Sequence, residues 1–200
     1  MKKFLGITVY LLGASILYSQ VDLSLFSTSV GMIRNLQPDH LVNDYSLIYE
    51  IELGGRLLDS QTSWHIFTNY SDDHVNKIKP VQDLCVFYSY KSIGLGANVS
   101  YTITDSTKEW FPFKINLLGG LSMSFVKGVN IIHNEYFTSN ELAEVHDTIL
   151  SLELGFTTNY TLYKEIVSFV EYKQLFMLDK SSTPYKNFRN SLKLGVQLSF

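Results

Sequence analysis

Hydrophobic and polar residues alternate along most of this chain, and the alternation is most regular at its end. From 190 to 200 the sequence reads N-S-L-K-L-G-V-Q-L-S-F. Successive side chains of a β-strand point to opposite faces, so this spacing predicts a strand with one apolar and one polar face. The apolar face carries Leu192, Leu194, Val196, Leu198 and Phe200, and the polar face carries Ser191, Lys193, Gly195, Gln197 and Ser199.

The same alternation predicts ten strands along the chain. The connections between them alternate in length: short ones fall near residues 58, 91, 127 and 161, and longer ones near 34, 71, 104, 138 and 178. A bulge is expected in the first strand, where the apolar residues change face. The predicted strands are 21–33, 46–57, 63–70, 83–90, 93–103, 113–125, 129–137, 150–160, 165–177 and 190–200.

This organisation favours a transmembrane β-barrel over a soluble β-sandwich, which shares the strands and turns. In a membrane barrel lipid faces one side of every strand, the strand number is even, and short periplasmic turns alternate with longer outer loops. Strands of about 9 to 13 residues are long enough to cross a bilayer at a tilt. We therefore expect an all-β, antiparallel, up-and-down transmembrane barrel of ten strands, with eight as the alternative.

The last residues resemble the terminal signal of bacterial outer-membrane β-barrel proteins, which commonly end in Phe with apolar residues at alternate positions before it. The residues that carry this resemblance are Leu194, Val196, Leu198 and Phe200. It implies a small barrel of the OmpA, OmpX and opacity-protein class, located in the outer membrane of a Gram-negative bacterium. It also implies contact with outer-membrane lipid, lipopolysaccharide and the barrel-assembly machinery, and it leaves the surface ligand open.

The beginning of the chain has the pattern of an export signal. Lys2 and Lys3 precede an apolar run over 4–17, and Ser19 supplies a small residue before Gln20. The run is shorter than the roughly 20 residues that a membrane-spanning helix requires. We expect residues 1–19 to be a cleaved signal peptide and residues 20–200 to form a single barrel domain.

Charge and cysteine content narrow the classes of partner. Residues 20–200 contain 14 basic and 19 acidic residues, so their net charge is near −5. A nucleic-acid-binding protein would show a basic stripe, and this chain is acidic, so no nucleic acid is expected as a partner. Cys85 is the only cysteine, which excludes an intramolecular disulfide. The histidines lack the close spacing of metal ligands, so neither a metal nor a cofactor is expected.

Charged residues on the predicted inner faces are nearly balanced in sign. Unpaired charges inside a narrow barrel would be costly, so the balance predicts a paired network that fills a closed lumen. A narrow path for ions or small solutes, lined by the same groups, is the alternative. The expected members are Glu50, Glu52, Arg56, Asp83, Lys114, Glu153 and Lys193, with Lys91, Glu171 and Lys173 as further members.

Two predicted loops carry candidate catalytic residues. Asp72, Asp73 and His74 lie on one, and His146 and Asp147 on another. This arrangement resembles the omptin proteases, in which an acidic pair and an Asp/His pair face each other across the barrel mouth and activate a water. The resemblance covers only these five residues, and solvated polar loops are the preferred explanation for them. The expected function is therefore non-enzymatic, with surface loops for interaction or envelope integrity.

A second hydrolase resemblance is to the outer-membrane lipid A deacylases, small barrels that use a His and a Ser on one strand with a nearby acid. His133 with Glu135 is the nearest counterpart, but no Ser stands two residues beyond the His. His65 and Ser63 share a predicted inner face, and we interpret them as a hydrogen-bonded lumen pair.

Aromatic residues are expected to form the two girdles that a barrel places at its lipid interfaces. With ten strands, one girdle lies at the periplasmic rim and the other at the outer rim. The periplasmic set is Trp64, Tyr90, Phe125, Tyr160 and Phe200, and the outer set is Tyr70, Tyr101, Phe113 and Phe176.

Overall fold

Eight antiparallel strands close into one barrel in the computed structural model, which describes residues 22–35, 45–57, 61–79, 84–104, 112–134, 137–178 and 188–200. Each strand pairs with its neighbours in the sequence, and the first strand pairs with the last. In the described part of the chain, no helix is long and apolar enough to cross a membrane. The strands are β1 (Asp22–Asn35), β2 (Tyr45–Arg56), β3 (Thr62–Lys79), β4 (Leu84–Thr102), β5 (Phe113–Asn134), β6 (Phe137–Tyr163), β7 (Ile166–Met177) and β8 (Phe188–Ser199).

The all-β, up-and-down barrel is confirmed, but the preferred count of ten strands is wrong and the alternative of eight is correct. The short turns predicted near 91 and 127 do not exist, because β4 and β5 run through both positions as continuous strands. Each missing turn merges two predicted strands into one. The predicted loops around 71–81 and 138–147 are correspondingly continuations of β3 and β6.

Gly128 shows why the turn signal at Lys127-Gly128 was misleading. No described glycine has a positive φ, so this dipeptide lacks the backbone conformation that a two-residue hairpin turn requires. A side chain on Gly128 would instead collide with the ring of Tyr90 and the backbone of Ser89 on the neighbouring strand. Glycine is needed here for close packing within a strand and not for a change of direction.

The predicted faces of the terminal strand are confirmed by burial. Lys193 is 1% exposed, whereas its neighbour Leu194 is 60% exposed. The same contrast recurs around the barrel, where apolar side chains cover the outside and polar ones fill the inside. A soluble protein has the opposite distribution, so this surface is the lipid-facing surface of a transmembrane barrel.

The bulge expected in the first strand is present between Leu23 and Leu25. These residues are two positions apart and would share a face in a regular strand. Leu23 is exposed and Leu25 is buried, because the extra residue shifts the strand by one position.

The two ends of the barrel differ in height. We call the end at which β1 begins and β8 ends the lower end, and the opposite end the upper end. At the upper end β2 last pairs with β3 at Asp72, and β7 last bonds to β6 at Leu150. Beyond these last contacts with β2 and β7, strands β3 to β6 continue as a four-stranded sheet, which we call the projecting sheet. It comprises 73–79 of β3, 84–90 of β4, 128–134 of β5 and 137–149 of β6.

The strand count also changes the predicted girdles. Tyr101 and Phe113 lie at the lower end, where the ring of Phe113 packs 5.6 Å from that of Tyr160. Phe125 is exposed near the upper end. Tyr90 is fully buried and points inward, because a strand without a turn at 91 keeps its alternation and places the even-numbered residues from Tyr90 to Ser100 inside.

Candidate functional site

Two lysines and three glutamates form a buried ionic network at mid-height in the lumen. Lys193 Nζ contacts Glu50 Oε1 and lies 2.6 Å from Glu171 Oε1. Lys173 Nζ lies 3.1 Å from Glu171 Oε1, 3.5 Å from Glu153 Oε2 and 3.6 Å from Glu50 Oε1. All five side chains are at most 4% exposed, so solvent screens these charges far less than it would at the surface.

The strand register brings these groups together. Glu171 on β7 stands directly opposite Lys193 on β8, and Lys173 follows Glu171 by two residues on the same inner face. Glu50 and Glu153 reach the same level from β2 and β6. Gly155 lies opposite Lys173, and a side chain there would meet the stem of that lysine. Glycine therefore gives the lysine room to cross the lumen.

Further contacts hold Lys173 in place. Its ammonium lies 4.5 Å from the centre of the Phe67 ring, a distance at which a cation is attracted to the ring face. With its amide oriented to satisfy its neighbours, Asn98 accepts a hydrogen bond from Lys173 Nζ at 2.8 Å. The lysine is therefore fixed by carboxylates, an amide and an aromatic ring at once.

Arg189 completes the charge balance of the interior. It is 4% exposed and lines the same small cavity as Glu50 and Glu153. With Lys173 and Lys193 it supplies three positive charges against the three carboxylates of the network. Balanced, closely paired charges are the condition under which ions are tolerated in a low-dielectric interior.

A separate chain of hydrogen-bonding groups lies nearer the lower end. Glu52 Oε1 is 3.3 Å from His65 Nδ1, and His65 Nε2 is 3.3 Å from Ser100 Oγ. Ser27 donates a hydrogen bond of 2.7 Å to the other oxygen of Glu52. His65 is therefore paired with Ser100 across the strands and with Glu52, and the pairing with Ser63 expected from the sequence is wrong.

An acid, a histidine and a serine in contact, as Glu52, His65 and Ser100 are, make up a hydrolase triad. The surroundings of these three residues, however, do not suit acyl transfer. Ser100 lies two residues before the end of β4 and is still paired with both β3 and β5, so backbone N–H groups there are engaged in the sheet and do not form an oxyanion hole. The adjoining cavity is about 60 Å³, well below the roughly 300 Å³ of a small ligand pocket. The arrangement serves to satisfy buried polar groups.

The lumen is blocked at more than one level. The cavity of about 60 Å³ opens below the network and is lined by Arg56 and Lys114 among others. Above the network a second cavity of about 20 Å³ has room for about one water. Still higher, a buried apolar cluster from β4 to β7 lies at the upper mouth. It consists of Tyr90, Val126, Val145 and Ile149, with Met177 packed against it.

The omptin-like candidates lie on strands, and Asp72 and His146 do not face each other across the mouth; the side chains of Asp73 and His74 lie outside the described part of the structure. Asp72 on β3 and His146 on β6 both point away from the lumen, with β4 and β5 between them. Asp147 Oδ1 accepts a hydrogen bond from its neighbour Thr148 N at 2.8 Å. The backbone of Asp73 and His74 continues β3. Asp72 and His146 therefore do not take part in an acidic pair and an Asp/His pair that face each other across the barrel mouth.

The structure brings together most of the charged residues expected in the lumen. Glu50, Glu153 and Lys193 lie in the network, Glu52 lies beside His65, and Arg56 and Lys114 line the lower cavity. Lys91 is exposed on the outside, which corrects its expected inward position. Asp83, Glu135 and residues 1–19 lie outside the described residues. Arg189 was missed, because 178–188 reads as a loop and the strand that aims Arg189 inward begins only at Phe188.

The described residues include no group of three or more His, Cys, Asp or Glu side chains that could hold a metal ion. No family model matches the chain, and no curated protein matches it.

The fold of this chain is similar to those of several solved bacterial surface and outer-membrane proteins. Neisserial surface protein A has a TM-score of 0.57 at 15% identity, covering 88% of this chain and 96% of that one. A major outer-membrane protein of Thermus thermophilus has a TM-score of 0.55 at 11% identity, covering 90% and 100%. The attachment invasion locus protein Ail of Yersinia pestis, solved with the heparin analogue sucrose octasulfate, has a TM-score of 0.50 at 11% identity, covering 90% and 100%.

These likenesses confirm the expected fold. The chain is a small, closed β-barrel of the bacterial outer-membrane class, with an apolar belt outside and a polar filling inside.

Proposed function

We propose that this protein is a closed, non-enzymatic outer-membrane barrel that presents its projecting sheet to a protein partner outside the cell. The observation that carries the proposal is the upper edge of β6, which no strand among the described residues pairs with on the β7 side and which we call the free edge. From Phe137 to Ile149 this strand pairs with β5 on one side and extends above the last bond to β7 on the other. A free strand edge is a template for adding a strand from another chain.

The direction of the backbone groups along this edge follows from one hydrogen bond and the regular alternation of the strand. Leu150 O accepts from Leu178 N, so the polar backbone groups of Leu150 point towards the β7 side. Residues two apart in a strand point the same way, and β6 pairs with β5 without a register shift from Leu150 down to Glu141. The N–H and C=O groups of His146 and Glu144 are therefore directed to the free edge, where an added strand would bind.

The edge also has features that restrain indiscriminate pairing. Thr148 N, on the same side, donates to the carboxylate of Asp147. Glu144 and His146 are exposed, with His146 Nε2 3.7 Å from Glu144 Oε2. Charged side chains on an edge strand discourage aggregation, so we expect a selective partner whose extended segment complements these charges.

A closed interior supports a role at the surface over transport. Small cavities lie below and above the ionic network, and a buried apolar cluster lies higher still at the upper mouth. The Glu52–His65–Ser100 chain lacks the surroundings of a hydrolase, which favours a non-enzymatic role. The likeness to Ail, whose name refers to attachment and invasion, adds support for a surface function on this fold.

Site-directed photo-crosslinking in intact cells tests the proposal. A photoreactive phenylalanine at His146 should give a discrete adduct with a partner protein, whereas the same residue at Leu194 on the lipid face should not. Glu144→Pro removes one edge N–H while the β5 pairing remains, and proline is tolerated at strand edges. We expect Glu144→Pro to abolish the adduct and Glu144→Ala, which keeps the N–H, to retain it.

Two results would contradict the proposal. One is the absence of an adduct at His146 in cells whose barrel is verified as folded, and the other is an undiminished adduct in Glu144→Pro. Either would leave envelope integrity as the remaining non-enzymatic role.

A further inference from the structure

Two lysines stand side by side on the outside of the barrel at the upper edge of the apolar belt. Lys91 on β4 lies directly opposite Lys127 on β5, and both are exposed. The next outward residues below them, Ile93 and Phe125, are also paired and are apolar and exposed. The lysines therefore mark the level at which the lipid-facing surface becomes polar.

The height of the belt places this level at the lipid headgroups. On β4 the outward residues from Ile93 to Ile103 are apolar. Eleven residues of a tilted strand rise roughly 25 Å, which is the height of the apolar band of an outer-membrane barrel. With the lower end of this band at one interface, the ammonium groups of Lys91 and Lys127 lie at the opposite interface.

The pairing of β4 with β5 places the two positive charges at directly opposed positions. Cβ atoms of directly opposed residues are about 4.5 to 5.5 Å apart, and like charges at such positions are destabilising. Asp72 on β3 stands opposite Lys91 and offsets part of one charge. His146 on β6 stands opposite Lys127, and His146 Nε2 lies 3.7 Å from Glu144 Oε2. An anion seated between the two lysines would remove the remaining repulsion.

We propose that Lys91 and Lys127 form a binding site for a phosphate group of lipid A in the outer leaflet. The phosphate bridges the two ammonium groups, and the acyl chains lie along the apolar surface that begins with Ile93 and Phe125. Charge-assisted hydrogen bonds from lysine to phosphate are among the stronger polar contacts available at such a site. This inference rests on the proposed orientation, in which the upper end faces outwards.

The test is titration of the full-length folded protein in neutral detergent micelles with deep-rough lipopolysaccharide, with the dissociation constant as readout. We expect the double variant Lys91→Gln/Lys127→Gln to bind roughly a hundredfold more weakly, about tenfold for each lysine. Lys164→Gln is the matched control, because it removes one exposed charge at the lower end and should leave binding unchanged. Lys91→Arg/Lys127→Arg should retain it. Heat-modifiable migration on gels verifies the fold of each variant.

Several outcomes would overturn the site. One is that the double Gln variant binds lipopolysaccharide as tightly as the unaltered protein does. Another is that the unaltered protein binds dephosphorylated lipopolysaccharide as tightly as the phosphorylated form. Competition by inorganic phosphate at concentrations comparable with the lipid would assign the lysines to a soluble anion instead. Protease cleavage of the projecting sheet on intact cells checks the orientation separately, so a wrong orientation and a wrong ligand give different results.

Discussion

Lys193 shows how single residues keep this lumen closed. It is held between Glu50 and Glu171, which come from different strands. Burying an ammonium alone would cost several kcal/mol, and the pairing offsets that cost only while both partners are present. The stability of the interior is therefore sensitive to the loss of any one member.

Replacing Lys193 by Met is expected to lower the free energy of unfolding by about 3 to 5 kcal/mol, because it leaves buried carboxylates uncompensated. Lys164→Met, at the exposed lower turn, should change it by less than about 0.5 kcal/mol. Urea unfolding in phospholipid vesicles, followed by tryptophan fluorescence, measures both. The double variant Glu171→Gln/Lys193→Met should recover part of the loss, since it removes the opposed charges together. Equal stability of Lys193→Met and Lys164→Met would show that the network does not hold the fold.

At the scale of the strand, the two faces of β8 tolerate different substitutions. Leu194 faces lipid, whereas Gln197 lines the lower cavity. Arginine on the lipid face near the middle of the bilayer costs about 2 to 4 kcal/mol, and a charge in the lumen remains hydrated.

We therefore expect Leu194→Arg to impair assembly far more than Gln197→Arg. The measurement is the yield of heat-modifiable protein in isolated outer membranes. Comparable yields for the two variants would contradict the assigned faces.

The alternation in the sequence was sufficient to predict the faces of the strands but not their number. Apolar residues at every second position locate Leu194 outside and Lys193 inside whatever the topology. The turns at 91 and 127 were indicated only by local composition. The sequence around Gly128 does not distinguish a glycine in a turn from a glycine that packs against a tyrosine ring within a strand. A two-strand error in the count then moved Tyr101 and Phe113 to the wrong end.

The partners inside the lumen could be predicted only as a set. Alternation identifies Glu50, Glu171 and Lys193 as inward residues, but which side chains meet depends on the register of strands far apart in the sequence. His65 and Ser100 are 35 residues apart, and no local pattern links them. Arg189 was lost because its strand begins immediately before it.

For the whole molecule, the successive blocks inside the lumen determine how the barrel responds to an applied voltage. An ion would have to pass the charged network and then the apolar cluster, where it would lose its hydration. We expect no reproducible current steps from refolded residues 20–200 in a planar bilayer. Regular single-channel steps from protein verified as folded would contradict the closed barrel and show that the protein is a narrow channel.

The unequal strand lengths have a consequence for how this scaffold could change. The β3–β4 and β5–β6 hairpins extend above the level where β2 and β7 end, so within the described strands their upper parts pair only with one another. Adding or removing residues in matched pairs at the hairpin tips would alter their reach while the pairing of the membrane belt stayed the same. The lower barrel is thus a fixed base, and the height and outline of what it displays can be redesigned independently.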